Sequence, residues 1–309
     1  MIIVKLLVVC EDAFDIGFYR SIKKKMPVHN RIMRYVSTVY DNGVISTWPI
    51  WTTFATGKTR DVHGITKFCT VENGKRRMWN RNDISKEAFP LLYQKINKLG
   101  YSVGWYALPV TSSPPDSGIN GFMVGADVGL NNKSYPEVNF HVNLEMYDSI
   151  FSHRAFSVEP DDWNERCERY LNDAIAFERA NADTFIEAAL KYDVDVGFVY
   201  FDKLDRLGHQ CMDIIPIMNE MYMAYDENLG KLLDALSPER VIVISDHGMQ
   251  IIPRKVVDIN FPAQPDPNMN KTYISGDHRY PGIFGTSFEV RHNNYHMADV
   301  YGIILGVLA

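Results

Sequence analysis

Cysteine is scarce in this chain of 309 residues, which has only four, at positions 10, 69, 167 and 211. No two of them form a Cys-x-x-Cys pair, so their spacing gives no sign of a disulfide framework or a thiolate metal site. Secreted proteins that depend on disulfides are usually far richer in cysteine. We therefore expect four reduced thiols in a cytoplasmic protein.

The sequence also lacks a long hydrophobic run. The apolar N-terminal stretch Met1–Val9 is followed almost at once by Glu11 and Asp12. A membrane-spanning helix needs about 20 apolar residues, and a signal peptide needs a basic segment and a small-residue cleavage site. We expect a buried strand here and no membrane partner.

There is no excess of positive charge. The chain has 32 Lys and Arg residues against 38 Asp and Glu residues, a formal net charge of -6. This balance provides no broad basic field to hold a long nucleic acid. The short basic runs Lys23–Lys25 and Lys75–Arg77 are interpreted as solvated surface.

Strand-like and helix-like segments alternate along the chain, which predicts an α/β fold with a mostly parallel sheet. Short apolar runs predict buried strands at Lys5–Cys10, Tyr101–Ala107, Val196–Phe201 and Val241–Ser245. Amphipathic patterns predict helices at Glu87–Leu99, Asp162–Lys191 and Pro216–Leu236. Clusters of Pro and Gly predict loops at Ser112–Phe122 and Phe261–Asn270. We assign residues 1–68 and 160–309 to the core, and residues 69–159 to an inserted cap or lobe.

A helix is predicted to begin near Thr47, Trp48 and Pro49, with the proline at its first position, and to end at Gly57. Free backbone N–H groups and the positive end of the helix dipole favour an anion at such a start. A hydroxyl there serves either as a plain N-cap or as part of a phosphate site. His63, shortly downstream, is expected to pack the following loop.

Acidic and imidazole side chains follow the predicted strands. Asp12 follows the first strand, and Asp246 and His247 follow the last. Ligands of open α/β sheets bind at these carboxyl ends. Adjacent Asp246 and His247 must lie where the strand breaks into a turn, since a regular strand would point them to opposite faces.

Two further groups complete the set. Asp205 and His209 are four residues apart, so on a helix they face one side and share one metal ion. His278 is expected in a loop. Six such groups suffice for two divalent cations, and the mixture of carboxylate and imidazole favours Zn²⁺, with Mn²⁺ as the other candidate.

The order of these motifs resembles the type I phosphodiesterase/nucleotide pyrophosphatase branch of the alkaline phosphatase superfamily. The resemblance rests on TWPIWTTFATG, HGI, DRLGH, SDHGM and GDHRYPGIF, on the segment YALPVTSSPPDSGINGFMVG, and on the C-terminal ADVYGIILGVL. It spans nearly the whole chain. It implies an alkaline-phosphatase-like core with helices on both faces of the sheet and a small inserted cap.

The resemblance also implies roles for individual residues. One cation would be held by Asp205, His209 and His278. The other would be held by Asp12, Asp246 and His247 together with Thr47, which would also be the nucleophile. Trp48 takes the place of an aromatic residue that stacks on a base in nucleotide-cleaving relatives. The implied reaction is hydrolysis of a small phosphodiester or nucleotide substrate through a phosphothreonine intermediate.

Two positions depart from the family pattern. Relatives usually have Asp-Gly at the first metal position, where this chain has Asp12-Ala13. Nucleotide pyrophosphatases have a phosphate-binding Asn at the position of Phe68, and Lys67 is the candidate to replace that Asn in binding phosphate. A phosphomonoesterase, a phosphonate hydrolase and a non-catalytic metal-stabilised binding module remain alternatives. The sequence gives no oligomeric state.

Overall fold

The computed structural model describes residues 3–72, 75–109, 119–125, 163–258, 271–291 and 294–309. The strands are β1 (Leu6–Glu11), β2 (Tyr35–Tyr40), β3 (Cys69–Glu72), β4 (Lys75–Met78), β5 (Val103–Tyr106), β6 (Gly121–Val124), β7 (Val196–Phe201), β8 (Arg240–Ile244), β9 (Gly248–Asp258), β10 (Lys271–Arg279), β11 (Gly282–Thr286) and β12 (Asn294–His296). The helices are α1 (Ile16–Ile22), α2 (Pro27–Ile32), α3 (Thr47–Thr56), α4 (Arg60–His63), α5 (Leu92–Lys98), α6 (Trp163–Lys191), α7 (Lys203–Cys211), α8 (Ile215–Leu236) and α9 (Met297–Leu308).

An eight-stranded sheet with the order β12-β2-β11-β8-β1-β7-β5-β6 forms the centre of the molecule. All neighbouring strands run parallel except β11, which is antiparallel to both β2 and β8. Every residue of β1 and β7 is buried, as expected for strands covered on both faces. The predicted α/β class and the mostly parallel sheet are confirmed.

Helices cover both faces of this sheet. Neighbouring residues of a strand point to opposite faces. On β7, the Phe198 ring contacts Phe54 of α3, with ring centroids 6.2 Å apart. A side chain placed at the adjacent Gly197 would instead meet Phe185 of α6. Helices α3 and α6 therefore lie on opposite faces.

Two predicted elements differ in extent from the elements of the structure. The predicted helix at residues 87–99 is limited to Leu92–Lys98, because Pro90 is unsuited to a helix interior. The predicted loop Ser112–Phe122 includes the start of β6, which pairs with β5. Residues 112–118 of that loop, and the predicted loop 261–270, lie outside the described residues.

The division into core and inserted cap stays a prediction for most of the chain. Strands β5 and β6 fall within residues 69–159, yet both belong to the central sheet. Val103 of β5 pairs with Val196 of β7. That part of the range is therefore part of the core, and the antiparallel pair β3–β4 forms a separate small sheet.

The expectation of four reduced cysteines is wrong for two of them. Cys167 of α6 and Cys211 of α7 form a disulfide, with Cα atoms 6.4 Å apart, while Cys10 and Cys69 are free. The pairing results from helix packing between positions 44 residues apart in the chain. In the described part of the chain, no helix combines the length and apolar character needed to cross a membrane.

Candidate metal centre

Three ligand candidates converge at the carboxyl ends of two neighbouring strands. Asp12 follows β1, and Asp246 and His247 lie between β8 and β9, which confirms the predicted break in the strand. His247 Nε2 lies 3.4 Å from Asp12 Oδ1 and 3.4 Å from Asp246 Oδ2. All three side chains are buried. We call Asp12, Asp246 and His247 the inner group.

A second set lies beside it. Helix α7 brings Asp205 and His209 to one side, with 3.6 Å between Asp205 Oδ1 and His209 Nε2. His278 Nε2 lies 3.1 Å from Asp205 Oδ1 and 2.9 Å from His209 Nε2. The expectation that His278 lies in a loop is wrong, because β9 and β10 form a two-stranded sheet outside the central one. We call Asp205, His209 and His278 the outer group.

Two glycines allow β10 to approach α7. A Cβ atom at Gly276 would lie 2.2 Å from the Gly208 carbonyl oxygen, a distance that only glycine tolerates. A Cβ atom at Gly208 would lie 3.0 Å from the Met249 side chain. Because the two backbones touch here, His209 and His278 reach each other across the junction.

All three imidazoles present the same nitrogen to the carboxylates. The Nδ1 atoms of His209, His247 and His278 lie 3.3, 3.1 and 3.5 Å from the carbonyl oxygens of Gly276, Gly248 and Ile45. A carbonyl only accepts, so each Nδ1 is the nitrogen that carries a proton. Each Nε2 atom then faces the carboxylates and, when unprotonated, offers its lone pair to a cation, the arrangement that metal-binding histidines adopt.

The inner carboxylates lack compensating charge. No described residue donates a hydrogen bond to Asp12 Oδ1 or to either oxygen of Asp246. Burial and the Asp246 charge raise the pKa of Asp12 well above its ordinary value. Buried carboxylates are unfavourable unless a cation or hydrogen-bond donors compensate them.

The outer group compensates its own charge. Burial opposes ionisation of Asp205, yet His209 and His278 outweigh it and hold the pKa of Asp205 well below its usual range. Burial likewise opposes the charge on His278, but the hydrogen bond and charge of Asp205 raise its pKa to about 9. Burial lowers the pKa of His247.

The two groups are adjacent, since His247 Nε2 lies 3.9 Å from Asp205 Oδ1. The potential ligand atoms of Asp12, Asp246 and His247 form one compact cluster, and those of Asp205, His247 and His278 form another. Uncompensated buried oxygens and imidazole lone pairs directed at them are what a divalent cation requires. The residues therefore fit a divalent cation.

The predicted nucleophile begins a helix beside this centre. Thr47 is the first residue of α3, and Gly57, with φ of 64°, ends it. Pro49 is the third helical residue rather than the first. The preceding residue Ser46 makes no side-chain capping bond, and the Ile45 carbonyl faces His278. The start of α3 is thus attached to the outer group.

An ion pair fixes the loop that leads to Thr47. Arg60 Nε donates to Asp41 Oδ2 at 2.7 Å, and Arg60 Nη1 donates to the Val44 carbonyl at 2.7 Å. His63 packs the following loop as predicted, because the Ile65 N–H donates to its Nδ1 at 3.1 Å.

The two predicted substrate-binding residues differ in exposure. Trp48 is 8% exposed and its carbonyl accepts a hydrogen bond from the Thr52 hydroxyl. Lys67 is exposed, and its carbonyl accepts a hydrogen bond from Trp79 Nε1. Their roles toward a substrate stay predictions.

Two contributors near Asp12 escape sequence reasoning. The Tyr200 hydroxyl donates to Asp12 Oδ2. The signal for it is a hydroxyl inside the apolar run VGFVYF, since a buried hydroxyl needs a partner. Ala13 has φ of 61°, the left-handed region that glycine adopts without strain. The departure from Asp-Gly is therefore accommodated with strained backbone.

Known structures share the fold. Phosphonoacetate hydrolase from Sinorhizobium meliloti 1021, in complex with phosphonoacetate, matches with a TM-score of 0.66 and 14% identity, covering 99% of this chain and 96% of that one. Human ectonucleotide pyrophosphatase/phosphodiesterase 5 matches with a TM-score of 0.61 and 16% identity, covering 98% and 94%. An inactive form of murine ectonucleotide pyrophosphatase/phosphodiesterase 5, in complex with AMP, matches with a TM-score of 0.54 and 16% identity, covering 99% of this chain and 95% of that one. The predicted alkaline-phosphatase-like fold is confirmed.

No curated protein shows significant sequence similarity to the chain. The sequence profile of the type I phosphodiesterase/nucleotide pyrophosphatase family, however, matches residues 6–296. That range includes every candidate ligand and Thr47. The resemblance and the expectation of a metal-dependent hydrolase are confirmed: the chain belongs to the type I phosphodiesterase/nucleotide pyrophosphatase family.

Proposed function

We propose that this chain is a two-cation phosphodiesterase/nucleotide pyrophosphatase that hydrolyses a small, nucleotide-derived phosphodiester. The observation that carries the proposal is the convergence of three imidazole Nε2 atoms on three carboxylates, two of which have uncompensated buried oxygens. The start of α3 lies against this cluster through the Ile45–His278 contact. A nucleophile and an anion site at a helix N-terminus therefore adjoin the cation sites.

Each cation has its own ligands in this proposal. The outer group of Asp205, His209 and His278 holds one cation. The inner group holds the other, with the Thr47 hydroxyl as an additional ligand. Zn²⁺ suits this mixture of carboxylate and imidazole, and Mn²⁺ is the alternative. Two such ions lower the pKa of a hydroxyl nucleophile and stabilise charge on attacking and leaving oxygens.

Thr47 carries out the bond exchange. Its Oγ1 gives up its proton to solvent and attacks phosphorus in line, so that an Oγ1–P bond forms as the bond to the leaving oxygen breaks and that oxygen takes a proton from solvent. The product is a phosphothreonine and an alcohol. Water then attacks that phosphorus from the opposite side, which releases the phosphate monoester and restores the Thr47 hydroxyl. Backbone N–H groups at the start of α3 stabilise the non-bridging oxygens.

Two residues are proposed to bind the rest of the substrate. Trp48 follows the nucleophile and would contact a nucleobase. Lys67 would supply a positive charge near the phosphate. It would compensate for Phe68, which occupies the position where nucleotide pyrophosphatases have a phosphate-binding Asn. A cytoplasmic location stays a prediction, and the Cys167–Cys211 disulfide removes cysteine usage as support for it.

A phosphonate hydrolase is the second candidate. Of the neighbours described, the phosphonoacetate hydrolase has the highest TM-score, and Phe68 departs from the nucleotide pyrophosphatase pattern. The same nucleophile and cations would then cleave a C–P bond rather than an O–P bond. Substrate comparison separates the two.

The first test compares three substrates after chelation and return of Zn²⁺ or Mn²⁺. These are the p-nitrophenyl ester of thymidine 5′-monophosphate, p-nitrophenyl phosphate and phosphonoacetate. We expect metal-dependent cleavage with the diester preferred. Preference for the monoester or the phosphonate would assign the chain to one of those alternatives. Two bound cations without cleavage of any substrate would contradict the proposal and favour a binding module.

A further inference from the structure

The helix that carries two of the three outer residues begins in an unusual way. Asp202 stands at the N-cap of α7, yet its side chain makes no capping hydrogen bond. Its carboxylate pairs with the ammonium of Lys203 and the guanidinium of Arg206 instead. The first N–H groups of an α-helix have no partner within the helix, so another part of the molecule must satisfy them.

Two side chains from neighbouring helices do so. Glu178 Oε1, from α6, accepts the Lys203 N–H at 2.8 Å. The Tyr225 hydroxyl, from α8, accepts the Leu204 N–H at 3.1 Å and donates to the same Glu178 oxygen at 3.2 Å. One buried carboxylate therefore fixes the start of α7, directly and through Tyr225.

The other carboxylate oxygen of Glu178 is fixed too. Asn181 Nδ2 donates to Glu178 Oε2 at 2.8 Å, and the Tyr106 hydroxyl donates to Asn181 Oδ1 at 3.1 Å. The Glu178 side chain is completely buried. A network with every oxygen satisfied holds one geometry, whereas a buried charge adds little net stability compared with apolar packing.

Helix α6 holds α7 at its far end as well. Cys167 of α6 is joined to Cys211, the last residue of α7. Asp205 and His209 lie between these two attachments. Their separation from His278 is therefore set by α6 as well as by the Gly208–Gly276 junction.

We infer that Glu178 is a positioning residue for the outer cation: by capping α7 from a neighbouring helix, it holds Asp205 and His209 at the spacing that cation needs. The inference rests on the proposed two-cation function. The inner group has no residue on α7, so its affinity does not depend on Glu178.

The test is a titration of metal-free protein with Zn²⁺ in competition with a chromophoric chelator. The affinity that disappears in His209→Gln identifies the outer site. We expect Glu178→Ala to weaken that affinity about tenfold or more, the range seen when residues that support metal ligands are removed, and to leave the inner affinity unchanged. Glu178→Gln keeps an oxygen that accepts the Lys203 N–H and should restore most of the lost affinity.

Phe185→Leu is the matched control. Phe185 is a buried residue of the same helix, and its ring contacts Tyr106 and Phe122. We expect it to lower the unfolding temperature and leave the ratio of the two affinities unchanged. If Glu178 had only a structural role, Glu178→Ala would likewise lower the unfolding temperature and leave the ratio of the two affinities unchanged. That result would overturn the inference.

Tyr225→Phe provides a milder variant should Glu178→Ala fail to fold. It removes only the hydroxyl that accepts the Leu204 N–H, and we expect it to weaken the outer affinity by roughly threefold. An unchanged outer affinity in Tyr225→Phe would count against the inference when Glu178→Ala is unfolded. Wild-type protein that binds fewer than two cations would instead contradict the proposed function.

Discussion

The inner and outer groups use the same residue types in opposite surroundings. The inner side chains of Asp12, Asp246 and His247 are 2%, 0% and 0% exposed. The outer side chains of Asp205, His209 and His278 are 15%, 33% and 18% exposed. Among the described residues, none donates a hydrogen bond to Asp12 Oδ1 or to either oxygen of Asp246, whereas the outer carboxylate is paired with its own imidazoles.

This difference separates a site that depends on its cation from one that tolerates its loss. Uncompensated carboxylates in a dry environment make the metal-free inner group unfavourable, so its cation is expected to be retained. The outer group can replace its cation with a proton on His278. It is also more accessible to water, so its cation is expected to exchange first.

The largest expected effect concerns Thr47, the proposed nucleophile. Thr47→Ala should lower turnover by about 10⁴-fold or more, because removal of a nucleophile abolishes the covalent route. Both cations should remain bound, since the six side-chain ligands are intact. Steady-state kinetics and elemental analysis check the two claims together.

Thr52→Val is the control for that experiment. The Thr52 hydroxyl lies in the same helix and donates to the Trp48 carbonyl. We expect nearly full activity from this variant. Undiminished turnover in Thr47→Ala would remove Thr47 from the mechanism.

Asp246→Asn separates the two groups most directly. It removes an inner ligand, and we expect the inner affinity to fall by more than about 100-fold. It also removes the charge that faces Asp12, so the metal-free protein should gain about 1 kcal/mol of stability. Zinc titration and urea unfolding in a chelator measure the two effects.

His209→Gln should weaken only the outer affinity and should lower metal-free stability slightly, because His209 helps to hold the pKa of Asp205 low but is the most exposed of the six candidate ligands. The contrast between the groups would be refuted by a metal-free Asp246→Asn protein that is less stable than wild type.

The pH dependence of the stability of the metal-free protein should distinguish the outer group from the inner group. The folded pKa of His278 is raised to about 9, against about 6.5 in an unfolded chain. Its contribution to stability is fully present below pH 6.5 and is lost as the pH rises through 9. In a chelator, the free energy of unfolding should therefore decrease as the pH rises from about 6.5 to about 9.

His29 contributes with the same sign, because Glu11 and Asp226 overcome the effect of burial and raise its pKa to about 9. His278→Gln should remove the His278 share of the decline and leave that of His29. Added Zn²⁺ should also remove the His278 share, since a metal-bound imidazole is neutral. A decline of equal size in wild type and His278→Gln would show that His278 is not the group responsible.

The smallest expected effect lies beside the inner group. Ala13→Gly relieves a left-handed conformation that costs an alanine about 1 kcal/mol, partly offset by the greater freedom of glycine in the unfolded chain. We expect a gain of about 0.5 kcal/mol, measured by urea unfolding. Ala235→Gly is a control with the opposite expected sign. Because Ala235 lies within α8, the substitution should destabilise the protein by about 1 kcal/mol.

Much of the centre follows from local rules. Asp12 and Asp246 could be placed because each follows a largely apolar strand, and the carboxyl ends of adjacent parallel strands share one edge. Asp205 and His209 could be paired because a helix brings residues four apart to one side. The helix end at Gly57 follows from the freedom of glycine to adopt positive φ.

The rest depends on packing between distant segments. His278 lies on a strand whose partner β9 is outside the central sheet, so no parallel-sheet pattern marks it. Cys167 and Cys211 meet only because α6 packs on α7. The role of Glu178 is likewise invisible in sequence, since the helix it caps has its own Asp202 at the N-cap.

The register of β1 has a consequence for how the protein is made. Leu6 pairs with Val196 on one side and with Arg240 on the other. At a synthesis rate of about 5–20 residues per second, β1 waits roughly 10–40 s on the ribosome for its first neighbour. During that time a largely apolar strand has both edges open to other nascent chains. Production of this protein should therefore depend on chaperones that shield its N-terminal segment.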